Sequence, residues 1–276
     1  MSRLVASTKV LALRGDRHVE LPDRLAAEEP MEIRVGSPGE HPTAVSVTMR
    51  TPGHDFELAV GFLRSEGVVG SSADVSSVRY CDAPPGDEQR YNIVTVQLTR
   101  PAALDGVERR FSVTASCGIC GTATLDQLRR RCDPLGSGPS VAVSTLLALP
   151  DALRRSQRLF EQTGGLHAAG LSDPEGTVLS VREDVGRHNA VDKLVGRSLL
   201  DDTLPLGDRV LVVSGRVSFE IVQKAALAGI PILAAVSAPS SLAVTTARDL
   251  GMTVVGFIRD QRANVYSHPE RVDLAR

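Results

Sequence analysis

The sequence predicts an α/β protein built on a mixed, largely parallel sheet, preceded by a smaller N-terminal α+β portion. Two observations carry this. From Arg209 onward, short runs of Val, Ile, Leu and Ala alternate with helical stretches, the pattern of a parallel sheet covered on both faces. Further upstream, apolar residues alternate with polar ones between Gly- and Pro-rich turns, the pattern of half-exposed strands. A hydrophobic content of 42% over 276 residues is enough for a sizeable core.

Residues 1–28 are polar, rich in Arg and Glu and interrupted by Pro22, which predicts an irregular lead-in with room for one strand. Residues 29–133 make the α+β portion. Met31–Val35 and Ala44–Met49 alternate as two strands of a hairpin about Gly36-Ser37-Pro38-Gly39. After Thr51-Pro52-Gly53, a helix runs through Phe56, Leu58, Ala59, Phe62 and Leu63, whose spacing gives one apolar face. Asn92–Leu98 and Arg110–Val113 are further strands, with a turn at Pro84-Pro85-Gly86-Asp87. Residues 134–150, rich in Gly, Ser and Pro, are expected to be a connector to the α/β portion, 151–276. There a strand at Arg209–Val213, a helix at Phe219–Ala228, a strand at Ile232–Val236, a helix at Ser241–Leu250 and a strand at Val254–Ile258 form a βαβαβ run.

Composition removes two classes of function. A formal charge of −2, 3% aromatic residues and no tryptophan do not make a nucleic-acid surface, which needs a basic field and stacking platforms. The longest apolar stretch, Ala225–Val236, is broken by Gly229 and Pro231 and is too short to cross a bilayer. Four cysteines and no secretory leader pattern lead us to expect a reduced, cytoplasmic protein without a disulfide framework.

The chemistry concentrates in Ala115-Ser116-Cys117-Gly118-Ile119-Cys120-Gly121, where two thiols lie close together between glycines and ahead of a helix start at Thr122–Leu128. Helix amides there favour a thiolate, while Arg129, Arg130 and Arg131 fall at the helix's far end. A structural zinc site would need further ligands, and Cys81 and Cys132 form no second CxxC.

In an open α/β sheet, ligands bind beyond the carboxyl ends of the strands. The three segments expected there are Ser214-Gly215-Arg216-Val217-Ser218, Ser237-Ala238-Pro239-Ser240-Ser241 and Arg259-Asp260-Gln261-Arg262-Ala263-Asn264. Their small residues admit backbone amides, and Arg216, Arg259 and Arg262 can fork onto phosphate, so a phosphorylated ligand is expected. Two further polar segments, Thr163-Gly164-Gly165-Leu166-His167 and Glu183–Lys193, have the composition of a site edge, His167 being the stronger candidate. Ordinary helix caps and solvated arginines would account for any one loop alone.

Taken in order, these segments resemble the FdhD family of formate dehydrogenase accessory sulfurtransferases. The resemblance runs from Glu29-Pro30-Met31-Glu32-Ile33-Arg34 through Met49–Gly53, Gly61–Gly67 and the Cys117–Cys120 loop, then through the Thr163 and Glu183 segments and Ser214-Gly215-Arg216, to Asn264–Arg271. It implies a sulfur carrier that takes sulfur from a cysteine desulfurase as a persulfide on Cys117 and passes it to the molybdenum cofactor, bis-molybdopterin guanine dinucleotide, for formate dehydrogenase. It implies cofactor binding at Phe257, Ile258, Arg259, Asp260, Gln261 and Arg262, to which the residue reading adds Ser214, Gly215, Arg216 and His167. It also implies a cytidine deaminase-like three-layer sandwich and a homodimer. Cys120 is either a thiol that resolves the persulfide or one that tunes its neighbour.

Two other readings were weighed. A zinc deaminase pairs H-x-E with P-C-x-x-C, but here Ser116 precedes Cys117 and His18-Val19-Glu20 lies far upstream. A chaperone that binds the guanine-containing cofactor and delivers it to formate dehydrogenase without covalent sulfur chemistry would need the arginines but not Cys117.

Overall fold

In the computed structural model the chain begins with a long antiparallel hairpin, β1 (Val5–Arg14) and β2 (Arg17–Ala26), turning at Gly15. The structure describes residues 4–82, 91–101, 128, 132 and 134–275. The expected irregular lead-in is therefore a two-stranded ribbon. Its strands escape a pattern search because apolar side chains such as Leu11, Leu13, Val19 and Leu25 stay exposed, so no buried face marks the period of two. Pro22 is tolerated because each strand of such a ribbon keeps an outer edge that needs no donor.

β3 (Glu29–Gly36) and β4 (Thr43–Arg50) form the expected hairpin. With β5 (Val75–Tyr80) and β6 (Ile93–Leu98) they make a four-stranded sheet in the order β4-β3-β6-β5. Alternate residues Met31, Ile33 and Val35 turn inward to meet Val94, Val96 and the apolar face of α1 (Asp55–Ser65). Asp55 and Glu57 in the first turn of α1 and Arg64 in its last complement the helix dipole.

The anticipated connector contains structure instead. After an extended stretch, the short strand β7 (Val141–Ala142) leads into α2 (Val143–Arg155), which buries Leu146, Leu149 and Leu153 at helical spacing. Its Gly/Ser/Pro-rich approach and internal Pro150 obscured that periodicity. α3 (Arg158–Thr163) follows and ends on Gly164 in the left-handed conformation that a C-cap requires.

A six-stranded sheet fills the second half. β8 (His167–Ser172) and β9 (Val178–Asp184) precede α4 (Arg187–Leu200). The predicted run then appears as β10 (Val210–Val213), α5 (Phe219–Leu227), β11 (Ile232–Ala235), α6 (Ser241–Asp249) and β12 (Thr253–Arg259). β13 (Arg262–Ser267) closes the order β13-β12-β11-β10-β8-β9, and β14 (Val272–Asp273) pairs with β7. Only β10, β11 and β12 run parallel to one another, and the other neighbours are antiparallel, so the sheet is mixed rather than largely parallel. The tight β8–β9 and β12–β13 connections allow nothing else.

Helices cover both faces of this sheet. Val210, Val212, Ile232 and Ala234 pack under α2, whereas Leu211, Val213, Leu233 and Ala235 pack under α4, α5 and α6. The two halves meet where α1 crosses α4 at glycines. A β-carbon on Gly61 would lie 1.9 Å from the Asp192 carbonyl oxygen, and one on Gly196 would lie 1.8 Å from that of Glu57.

Candidate functional site

Because β8 runs antiparallel to β10, the start of β8 lies beside the end of β10. Ser214 fixes this corner: its N–H donates to the Ala168 carbonyl at 3.0 Å, and its hydroxyl accepts from the Ala168 N–H at 2.9 Å. His167 pairs across the sheet with Asp184, the last residue of β9, and three residues later α4 opens with Arg187 and His188. Three strand ends and one helix start thus bring His167, Arg187, His188, Ser214, Gly215 and Arg216 to one corner. A β-carbon on Gly215 would sit 3.4 Å from both His167 Nδ1 and the Cδ of Arg187.

Asp184 holds the corner from below. Its carboxylate accepts from Thr51 N–H at 3.2 Å, Gly186 N–H at 2.8 Å and Asn189 Nδ2 at 2.9 Å, and faces Lys193 Nζ at 2.7 Å. Lys193 also donates to the Thr51 carbonyl at 2.9 Å. Deeper along α4, Asp192 takes both Lys224 Nζ and the Ser65 hydroxyl. Burial pushes His167 down from its ordinary value, and the charges of Arg187 and Arg216 add to this against Asp184. Burial likewise brings His188 down to about 4, helped by Lys224 and Arg187. Its Nε2 lies 3.1 Å from the hydroxyl of Ser218, the N-cap residue of α5. Both imidazoles are therefore neutral near pH 7.

The next two loops lie along the same edge. Val217 bridges Pro239, with Val217 N–H donating to the Ala238 carbonyl and Ser240 N–H to the Val217 carbonyl. Phe257 N–H donates to the Ser237 carbonyl at 3.2 Å. The stretch after β12, expected as an open loop, is a tight hairpin instead: Arg259 pairs with Arg262 across Asp260 and Gln261, whose φ values are 50° and 58°. Two consecutive positive-φ residues are what a two-residue hairpin turn of this twist demands. Arg259 and Arg262 thus project side by side, with the Arg259 guanidinium 5.9 Å from the centre of the half-exposed Phe257 ring. Phe257 itself has φ 53°, a costly conformation for an aromatic residue and the kind of strain that collects at functional sites. Ile258 differs from its neighbours: it is fully buried in the core under α2, so its side chain offers nothing to a ligand.

Of the expected site residues, His167, Ser214, Gly215 and Arg216 come together, and Phe257, Arg259, Asp260, Gln261 and Arg262 share the same strand-end edge. Cys117 and Cys120 lie outside the described residues. Arg187 and His188 belong to the corner although neither stood among the expected binding residues. Their signal was the position of the Gly186-Arg187-His188 segment at a helix start after a strand, legible only once β9 is seen as a strand. His18 and Glu20, the deaminase-like pair, stand exposed on the β1–β2 ribbon. No helix among the described residues is long and apolar enough to cross a membrane.

Comparison with known proteins bears on the whole chain. The chain is 50% identical to the sulfur carrier protein FdhD of Streptomyces coelicolor, covering 99% of this chain and 98% of that one. It is 49% identical to the protein of that name from Mycobacterium tuberculosis, covering 99% and 100%. A crystal structure described as a formate dehydrogenase accessory protein, from Desulfotalea psychrophila, superposes with a TM-score of 0.76 at 25% identity, covering 98% of this chain and all of the other. The FdhD/NarQ family model matches residues 26–273, and the chain belongs to that family.

Proposed function

We propose that this protein is a cytoplasmic sulfur carrier with sulfurtransferase activity in the maturation of formate dehydrogenase. The observation that carries the reading is near-50% identity, along the full length, to proteins named sulfur carrier, in a chain that presents Cys117 and Cys120 as a CxxC pair. The Cys117 thiolate attacks the outer sulfur of a persulfide on a cysteine desulfurase. A sulfur–sulfur bond forms on Cys117, and the desulfurase cysteine leaves as its thiolate. In the second step the Cys120 thiolate attacks the inner sulfur, so that hydrosulfide departs as a Cys117–Cys120 disulfide forms, and an external thiol later reduces that disulfide.

The acceptor is the molybdenum cofactor, bis-molybdopterin guanine dinucleotide, bound as substrate. The exposed arginines along the strand-end edge, Arg216, Arg259 and Arg262, support this, since pyrophosphates need forked cationic donors. The three-layer second half supports a cytidine deaminase-like assignment, and we take the protein to act as a homodimer. A cofactor chaperone without sulfur chemistry rests on the same arginines but leaves Cys117 idle.

Intact mass spectrometry after incubation with an active desulfurase and cysteine tests the reading. A reductant-labile gain of one sulfur in wild type and Cys120→Ala, lost in Cys117→Ala, is expected. No gain in either wild type or Cys120→Ala, the variant that cannot resolve the persulfide, refutes the carrier and leaves the chaperone.

A further inference from the structure

Cations buried elsewhere in this protein are matched. Arg50 faces Asp55 at 2.9 Å, Lys193 faces Asp184 and Lys224 faces Asp192, each at 2.7 Å, while Arg271 is held by the Gly136 and Ser137 carbonyls. Such pairing is the rule, because an uncompensated charge in a low dielectric costs several kcal/mol. Arg187 differs: its Nε is shut off from solvent with no hydrogen-bond partner, as are those of Arg50 and Arg64, but whereas their terminal nitrogens bond carboxylate or carbonyl oxygens, its guanidinium makes no hydrogen bond or ion pair among the described residues. The nearest acidic group of its own segment, Asp184, is already engaged by Lys193, Asn189 and two backbone amides.

Arg187 and Arg216 both lie within electrostatic reach of His167, while the Glu220 carboxylate, which faces His188 and the Ser218 hydroxyl, is also within reach of Arg187 without pairing with it. Arg216 lies exposed on the neighbouring loop, and His167 Nδ1 and the Arg187 stem both close on Gly215, where a β-carbon would sit 3.4 Å from each. We propose that Arg187 joins His167, Gly215 and Arg216 in a pyrophosphate-binding corner, an anion site within the cofactor-binding edge. The inference rests on the cofactor reading above and adds to it a binding residue, Arg187, together with a signature of occupancy. Arg187 comes from α4, Arg216 from the loop after β10 and His167 from β8, so a phosphate placed over Gly215 is reached from three elements at once.

The signature is proton uptake. The two arginines and burial keep the His167 imidazole neutral, and Asp184 alone opposes them. A phosphate between the guanidiniums cancels their charge, and His167 then takes a proton from solvent as a third donor. His188, from the same helix, faces Lys224, Arg187, Glu220, His167 and the Ser218 hydroxyl; burial is the largest cause of its lowering, to about 4, so it stays neutral near pH 7.

The experiment is isothermal titration calorimetry of the full-length protein with GDP near pH 7, in buffers of differing ionisation enthalpy. Expected are net proton uptake by wild type, loss of that uptake in His167→Asn, and GDP affinity lowered roughly tenfold or more in Arg187→Gln and Arg216→Gln, the scale of a lost charge-assisted hydrogen bond. Arg209→Gln, an arginine at the opposite end of β10, serves as the control and should bind as wild type. Since Arg187 makes no hydrogen bond or ion pair among the described residues, Arg187→Gln should melt as wild type does, which separates lost binding from lost folding. Wild-type GDP affinity in Arg187→Gln, equal losses in the Arg209 control, or binding without proton uptake overturns the corner. If Arg259→Ala still loses GDP in the first case, the cofactor reading survives the corner's failure. A wild-type protein that does not bind GDP overturns both.

Discussion

Replacing Gly196 with alanine sets two effects of opposite sign against each other. Within an isolated helix the change is favourable by about 1 kcal/mol, because alanine loses less backbone entropy than glycine. Here the new β-carbon would lie 1.8 Å from the Glu57 carbonyl oxygen and 2.7 Å from the Gly61 nitrogen, both backbone atoms of α1 that cannot rotate away. Reaching ordinary contact requires α1 and α4 to separate by roughly 1.5 Å, which loosens packing over the whole joint. Overpacking of this kind typically costs about 1–3 kcal/mol or more, so the net effect should be a loss of about 2 kcal/mol.

Urea unfolding measures this directly, as a lower midpoint at unchanged slope. Gly61→Ala should behave alike, its β-carbon meeting the Asp192 carbonyl at 1.9 Å. The two substitutions open the same joint, so the double variant should cost clearly less than the sum of the singles. Because α4 carries Arg187 and His188 at its first turn, both variants should also weaken GDP binding. A Gly196→Ala protein as stable as wild type, or costs that simply add, would refute the reading of a glycine-to-glycine crossing.

Further outcomes follow from the buried polar groups and the hairpin tip. Lys193→Met removes the partner of a fully buried carboxylate, Asp184, and should cost about 3–5 kcal/mol of unfolding free energy in urea titration. His188 sits at about 4 in the folded protein, below its ordinary 6.5, so the folded state binds fewer protons than the unfolded chain between those values. Its stabilisation is complete above pH 6.5 and is lost as pH falls toward 4, and His188→Gln should flatten that part of a melting-temperature profile. Glu57 acts in a lower window. Burial raises it, but the forked hydrogen bonds of Arg182, with His54, bring it to about 2, so its contribution is lost as pH drops from 4.5 toward 2 and Arg182→Gln should remove that slope. Gln261→Gly relieves a positive φ at the hairpin tip and should stabilise by up to about 1 kcal/mol, with GDP affinity retained if the arginines alone bind.

What could be read from the chain follows from how its segments are buried. Val210–Val213 and Ile232–Ala235 are enclosed on both faces, so they appear in the sequence as unbroken apolar runs, and the βαβαβ unit is legible almost residue by residue. β8 and β9 are not legible in this way. His167 and Gly170 interrupt β8, and β9 carries Arg182, Glu183 and Asp184 because one end of it builds the corner. Of these, His167 and Asp184 serve the corner, whereas Arg182 is held by Glu57 and Glu183 by the Leu159 and Phe160 amides. Phe257 to Arg262 was recognisable as a binding stretch, but the hairpin was not, since Asp260 and Gln261 lack the glycine that normally announces such a turn. Arg187 looked like one more charged residue at a helix start, and only the absence of a partner around it sets it apart.

The proposed sulfur transfer would need donor and acceptor held in a fixed relation, and the connection between the two halves bears on this. Thr51 precedes α1 in the N-terminal half, yet its N–H and carbonyl are bound by Asp184 and Lys193, the pair beneath the anion corner. Ser65, at the other end of α1, is bound to Asp192, and the glycine crossing lies between these two anchors. Both ends of α1 are thus tied to α4 or its approach through buried charge, an arrangement that tolerates little rocking. The segment bearing Cys117 leaves the N-terminal half after β6 and returns at Leu128, which is buried in the core of the second half. Its two described attachments, after β6 and at Leu128, therefore belong to halves that are locked together.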